Sequence, residues 1–151
     1  MKLIAASITL GAFLSVGNAF AIDLQPGEWL MVSDKGKEVH YCLTLAVALS
    51  NKNREKGSVL EVSGKTKNVF YKSIILENTA THRIEDLTYT TPERTAHIVT
   101  DMVKVSDTEL QVAIVTDVEM AGKKTTEKSK LTQTFINATC SELSRGKALA
   151  Q

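Results

Sequence analysis

Apolar and polar residues alternate with a period of two along most of the chain, and each alternating run stops at a turn signal. Trp29 to Ser33 and Glu38 to Leu43 flank Asp34-Lys35-Gly36-Lys37, where Gly36 can take a positive φ, so these runs predict an antiparallel hairpin. Ahead of it, Gln25-Pro26-Gly27-Glu28 is turn chemistry. In the second run Val39, Tyr41 and Leu43 share one face, and His40 and Cys42 the other. Further strand patterns cover Val59 to Val62, Asn68 to Leu76, Thr81 to Thr90, Thr95 to Val105, Glu109 to Glu119 and Thr125 to Ile136. Leu110, Val112, Ile114 and Val118 share a face of the fifth of these; Leu131, Gln133 and Phe135 point inward in the sixth, with Lys128, Lys130 and Thr132 toward water. The period changes once, where Thr44 can N-cap a helix over Leu45 to Lys56 and Gly57 can close it. The pattern predicts a mainly β fold, an antiparallel meander forming a sandwich or barrel, with one short helix near residues 45–56. Long helices do not alternate with the strands, which excludes a parallel α/β sheet.

The first 21 residues stand apart from this pattern. Lys2, the apolar run Leu3 to Val16 and Ala19-Phe20-Ala21 have the layout of a signal peptide cleaved after Ala21. The run is shorter than the roughly 20 apolar residues a membrane-spanning helix needs, so no stable membrane insertion is expected after cleavage. Residues 22–151 then form a single β-rich domain, with a small, polar tail beyond Glu142 that frays. Export implies a periplasmic or secreted location. Cys42 and Cys140 are the only two cysteines, and in an oxidising compartment they are expected to form one disulfide. A loop of about 100 residues makes such a bond worth about 4 to 5 kcal/mol on the chain-entropy model.

Composition narrows function mainly by exclusion. Of 18 basic residues Lys2 is the only one in the leader, so the exported part balances its 17 acidic side chains. That balance lacks the basic excess of a nucleic-acid binder, and nucleic acid is not an expected partner. The only histidines are His40, His82 and His97, and no two stand at metal-ligand spacing. His82 with Glu85 and Asp86 is the densest group of possible ligands, but alternation puts Glu85 on the opposite face from the other two. No nucleophile elbow or phosphate-binding glycine loop is present. No catalytic residue, metal site or cofactor is therefore expected, and the chain does not read as an enzyme. Trp29 reads as a core anchor, and Asn137-Ala138-Thr139 is a glycosylation sequon by pattern only. Threonines such as Thr88, Thr90, Thr126, Thr132 and Thr134 at outward positions mark a solvated sheet face.

Pro26-Gly27-Glu28-Trp29 shortly after the leader, Cys42-Leu43-Thr44 opening the helix, and a last strand that ends at Cys140 together resemble the DUF3617 family of small exported bacterial proteins. The resemblance runs over nearly all of the chain after the leader and departs at Leu45, where that family favours an acidic residue or Pro. It implies a periplasmic β-rich domain of unknown function and brings no active site. The expected role is a non-catalytic interaction domain that docks another protein. A narrower version is an inhibitor of a hydrolase such as lysozyme, for which Asp34 to Glu38 and Thr91 to Arg94 are the nearest plug-like loops. The alternative is a carrier holding a small apolar ligand inside a β-barrel.

Overall fold

Strands built from alternating residues need a partner on each side and a cover for one face, and the way this chain supplies both decides its shape. The computed structural model describes residues 21–63 and 69–145. The signal-peptide expectation for residues 1–20, the start of the run at Asn68 and the final residues 146–151 lie outside the described residues. The strands are β1 (Gly27–Ser33), β2 (Glu38–Leu43), β3 (Val59–Ser63), β4 (Phe70–Asn78), β5 (His82–Thr90), β6 (Arg94–Ser106), β7 (Glu109–Met120) and β8 (Lys123–Asn137). Among the described residues there are also two short helices, α1 (Leu45–Lys52) and α2 (Glu142–Arg145).

All eight strands belong to one antiparallel sheet in the order β2-β1-β8-β7-β6-β5-β4-β3. The meander from β3 to β8 thus returns to the opening hairpin, because β8 pairs with β1 from Glu28↔Asn137 to Ser33↔Leu131. Of the two architectures expected, sandwich or barrel, the barrel is not closed: β2 and β3 are the two ends of the strand order. The segment that joins them runs across the inner face instead of pairing with either. Ala48 of α1 packs with Trp29, Tyr41, Leu43, Leu110 and Val112, and the Gly57 N–H donates to the Ile75 carbonyl at 2.7 Å. Leu24, Met31, Met102, Leu131 and Phe135 surround this cluster. A carrier barrel would need a continuous wall that this sheet lacks.

Local chemistry accounts for the elements. Thr44 caps α1, its Oγ1 accepting from the Val47 N–H at 3.3 Å. The helix stops at Lys52, four residues before the sequence pattern ends, with Asn53 as its C-cap. Polar residues continue the helical pattern, but Arg54 is drawn onto the sheet, its Nη1 donating to Glu85 Oε1 at 2.7 Å while Asn78 Nδ2 donates to the Arg54 carbonyl at 2.6 Å. Gly57 (φ +82°) serves the following turn rather than the helix end. At the sheet's other end, Gly27 has φ +142°, and a Cβ there would lie 2.3 Å from the Asn137 carbonyl oxygen, so only glycine fits.

The tail is anchored further than expected. Cys42 and Cys140 are joined in a disulfide with a Cα–Cα distance of 5.6 Å. Residues Glu142–Arg145 are helical, and buried Ser144 donates from Oγ to the Ser141 carbonyl at 2.9 Å. Among the described residues, no helix is long and apolar enough to cross a membrane.

Candidate binding surface

The motif residues that open the domain form an internal latch. Trp29 is 1% exposed, meets the Phe135 ring edge-on at 5.5 Å, and donates from Nε1 to the Gln25 carbonyl at 3.0 Å. Beside it, Glu28 Oε2 accepts from the Ser141 N–H at 2.8 Å, and Oε1 lies 2.8 Å from His40 Nδ1. The Ser141 N–H, helped by His40, holds the Glu28 carboxyl below its ordinary range. These contacts bind the segment after Cys140 to β1, alongside the disulfide. Gly27, Glu28, Trp29 and His40 are therefore occupied in holding the domain shut.

A second polar cluster lies under the segment that follows α1. Glu85 Oε1 accepts from Arg54 Nη1 and from the Ser73 hydroxyl, and its Oε2 accepts from Arg83 Nη2 at 2.8 Å. Burial pushes this carboxyl up, but the Ser73 hydroxyl, Arg83 and Arg54 outweigh it and keep the group below its ordinary value. A small cavity of about 110 Å³ adjoins Arg83 and Glu85 beneath Ile22. Each guanidinium is already used, since Arg54 also reaches Ser73 and Arg83 also reaches the Asn51 carbonyl. The cluster fixes α1 to the sheet.

The remaining histidines lie on the outer face and do not meet. Contrary to the grouping with Glu85 and Asp86, His82 sits between Glu77 Oε1 at 2.9 Å and Asp101 Oδ1 at 2.8 Å. Those acids come from β4 and β6, out of reach of a single-strand pattern. They raise the His82 pKa, Asp101 most and Glu77 next, because both ring nitrogens then donate to carboxylates. Asp86 instead pairs with His97 Nε2 at 2.8 Å. Among the described residues, no group of three or more His, Cys, Asp or Glu side chains is arranged to hold a metal ion.

The register lines these residues up across the outer face in rows: Asp101↔Ala113↔Lys130, Val99↔Val115↔Lys128 and His97↔Asp117↔Thr126. One hollow of about 530 Å³ lies over the first row, with Val32 and Val103 at its side. Another of about 420 Å³ lies over His97, Asp117 and Lys124. In the first hollow Ala113 forms the floor on β7, with Asp101 on one side and Lys130 and Asp34 on the other; in the second, His97, Asp117 and Glu119 face Lys124. Four of the acids are engaged: Glu77 and Asp101 by His82, Asp86 by His97, and Asp117 by the Thr126 hydroxyl at 2.6 Å, whereas Asp34 at the rim of the first hollow forms no ion pair among the described residues. Lys35 and Lys124 pair with Glu127 and Glu119, whereas Lys128 and Lys130 form no ion pair among the described residues. Alternation had set Lys128 and Lys130 toward water, but only the register places them opposite Val115 and Ala113.

Neither plug-like loop projects. Asp34–Lys37 is a tight turn closed by Ser33 N–H to Lys37 carbonyl and Gly36 N–H to Ser33 carbonyl bonds, each 2.9 Å. In the other turn Thr91 Oγ1 accepts from the N–H groups of Glu93 and Arg94. Asn137 of the sequon is exposed and accepts from the Thr139 N–H at 3.2 Å.

No family model matches the chain, and no solved structure matches it. It is 31% identical over 163 residues to the uncharacterised protein YtgA of Salmonella typhimurium (strain LT2), spanning 96% of this chain and 97% of that protein. The YtgA of Salmonella typhi aligns to the same extent. At that identity and coverage, the chain belongs to the YtgA family.

Proposed function

We propose that this protein is a non-catalytic binding domain of the periplasm or another oxidising exterior, and that it takes a protein partner on the outer face of its sheet. The observation that carries this reading is the pair of hollows along β6, β7 and β8, the first floored by Ala113 with Lys130 unspent on its wall and Lys128 next to it along the same face. Apolar floors rimmed by charge are what protein-docking surfaces offer. The disulfide between Cys42 and Cys140 supports an oxidising location. The resemblance to the DUF3617 family points the same way. Inhibition of a hydrolase falls within this reading if the partner is an enzyme covered by that face, since the two turns are too tight to act as plugs.

A photoreactive residue in place of exposed Ala113 tests the reading in the exporting cell. A discrete protein adduct from this position, absent when the same group replaces exposed Leu45 on α1, is the expected result. Equal labelling from both positions, or none from Ala113, overturns it.

A further inference from the structure

β8 is longer than the strand that covers it. β1 pairs only with Leu131–Asn137, and the Asp34 N–H takes the Lys130 carbonyl as the last contact of that ladder. On its other side β8 pairs with β7 all the way from Glu109↔Thr134 to Met120↔Lys123. The stretch Lys123–Ser129 is therefore a third sheet edge inside the strand order, with every second backbone N–H and C=O facing away from β7 and unpaired among the described residues. Lys35 reaches this edge only through its side chain, on Glu127.

The charges on this edge select what can join it. Lys124, Lys128 and Lys130 share the outer face, and Lys128 and Lys130 stand two residues apart. Two residues of extended chain span about 6.6 Å, the same as the spacing of side chains on one face of an added strand. An apolar strand would bury the unpaired ammonium groups against itself, and edge lysines protect sheets from such pairing. A strand with carboxylates at alternate positions meets them with opposite charge and completes the backbone ladder.

We infer that the free edge of β8 at Lys123–Ser129 is a strand-addition site for an extended acidic segment of a partner protein, with carboxylates at alternate positions set against Lys128 and Lys130. This rests on the binding-domain reading above and names the part of the surface that makes the contact. The outer-face hollows lie beside this edge, so the partner's flanking residues reach the floor at Ala113.

The test uses the intact exported protein with an alternating Thr-Glu hexapeptide at low salt, read by NMR shifts and amide exchange. The expected result is shifts confined to β8 and the neighbouring outer face, with slowed exchange at alternate amides of residues 123–129. The Thr-Gln analogue, and the Lys128→Glu/Lys130→Glu variant with the Thr-Glu peptide, should each bind about tenfold more weakly or worse. A Lys37→Glu variant controls for the loss of positive charge elsewhere. Equal binding of the Thr-Gln peptide, shifts centred on β3 or α1, or binding of a sulfated polysaccharide in the peptide's place without slowed amides overturns the inference. An adduct from position 113 together with a silent peptide titration refutes the acidic-strand site and leaves the binding surface standing; failure of both refutes both.

Discussion

The two halves of β8 follow one alternation and meet opposite fates. From Leu131 to Thr134 the strand is held between β7 and β1, it stays paired with β1 to Asn137, turns Leu131, Gln133 and Phe135 inward, and ends near the disulfide. From Lys123 to Ser129 it has β7 on one side only, and almost every residue is exposed. Alternation alone does not separate them, since Ser129 and Leu131 are on the same face. The difference is the partner: where β1 ends at Ser33, the strand passes from core to edge. Stability is therefore concentrated at one end of the sheet, and the other end is left open for contact.

The largest effect should come from opening the latch end. Replacing Cys42 and Cys140 together by Ser, or reducing the native bond, frees a loop whose ends lie 98 residues apart. That should cost about 4 to 5 kcal/mol on the chain-entropy model, seen as a clear fall in melting temperature. A change of only a few tenths would mean that Glu28, Ser141 and Trp29 hold that end without it.

Phe135→Ala should come next, at about 3 kcal/mol in denaturant unfolding, because it removes the ring packed against Trp29. The matching change on the same strand, Lys128→Ala, should stay within about 0.5 kcal/mol, as exposed substitutions usually do. Similar costs for the two would erase the division of β8.

Glu85→Gln should cost about 2 to 3 kcal/mol, since it leaves the half-buried Arg54 and the buried Arg83 without their counter-charge. The pH dependence has a definite sign. With its folded pKa lowered, Glu85 stabilises the fold above the ordinary carboxylate range, and the benefit is lost as pH falls through the folded value. His82 behaves oppositely. Its folded pKa is raised, so its contribution is complete below the ordinary imidazole value and is lost as pH rises through the folded one. Unfolding followed across pH should show the acid limb flattened by Glu85→Gln and the smaller neutral-to-alkaline loss flattened by His82→Gln. If neither limb moves, these groups do not govern the pH dependence.

Much of this was legible in the sequence because the information was local. Period-two runs located every strand, Gly36 and Asp34 marked the first turn, and Thr44 marked the start of α1. The helix end was not legible, because residues 53–56 continue a helical polarity and only the distant Glu85 and Ser73 explain why Arg54 leaves it. Barrel closure was a matter of what lies between β2 and β3 in space, which no strand pattern encodes. The role of Gly27 and Glu28 depended on Asn137 and Ser141, more than a hundred residues away. The outer-face surface was half legible: Lys128 and Lys130 faced water by alternation, but their isolation from the acids required the register. That His82 is claimed by Glu77 and Asp101 required three strands at once.

Native-state hydrogen exchange read along β8 alone tests the central division most directly. The amides of residues 131–135 should exchange only through global unfolding, while alternate amides of 123–129 exchange faster through local fluctuation. Uniform protection from Lys123 to Asn137 would contradict an open edge, and uniformly fast exchange would contradict the anchored half.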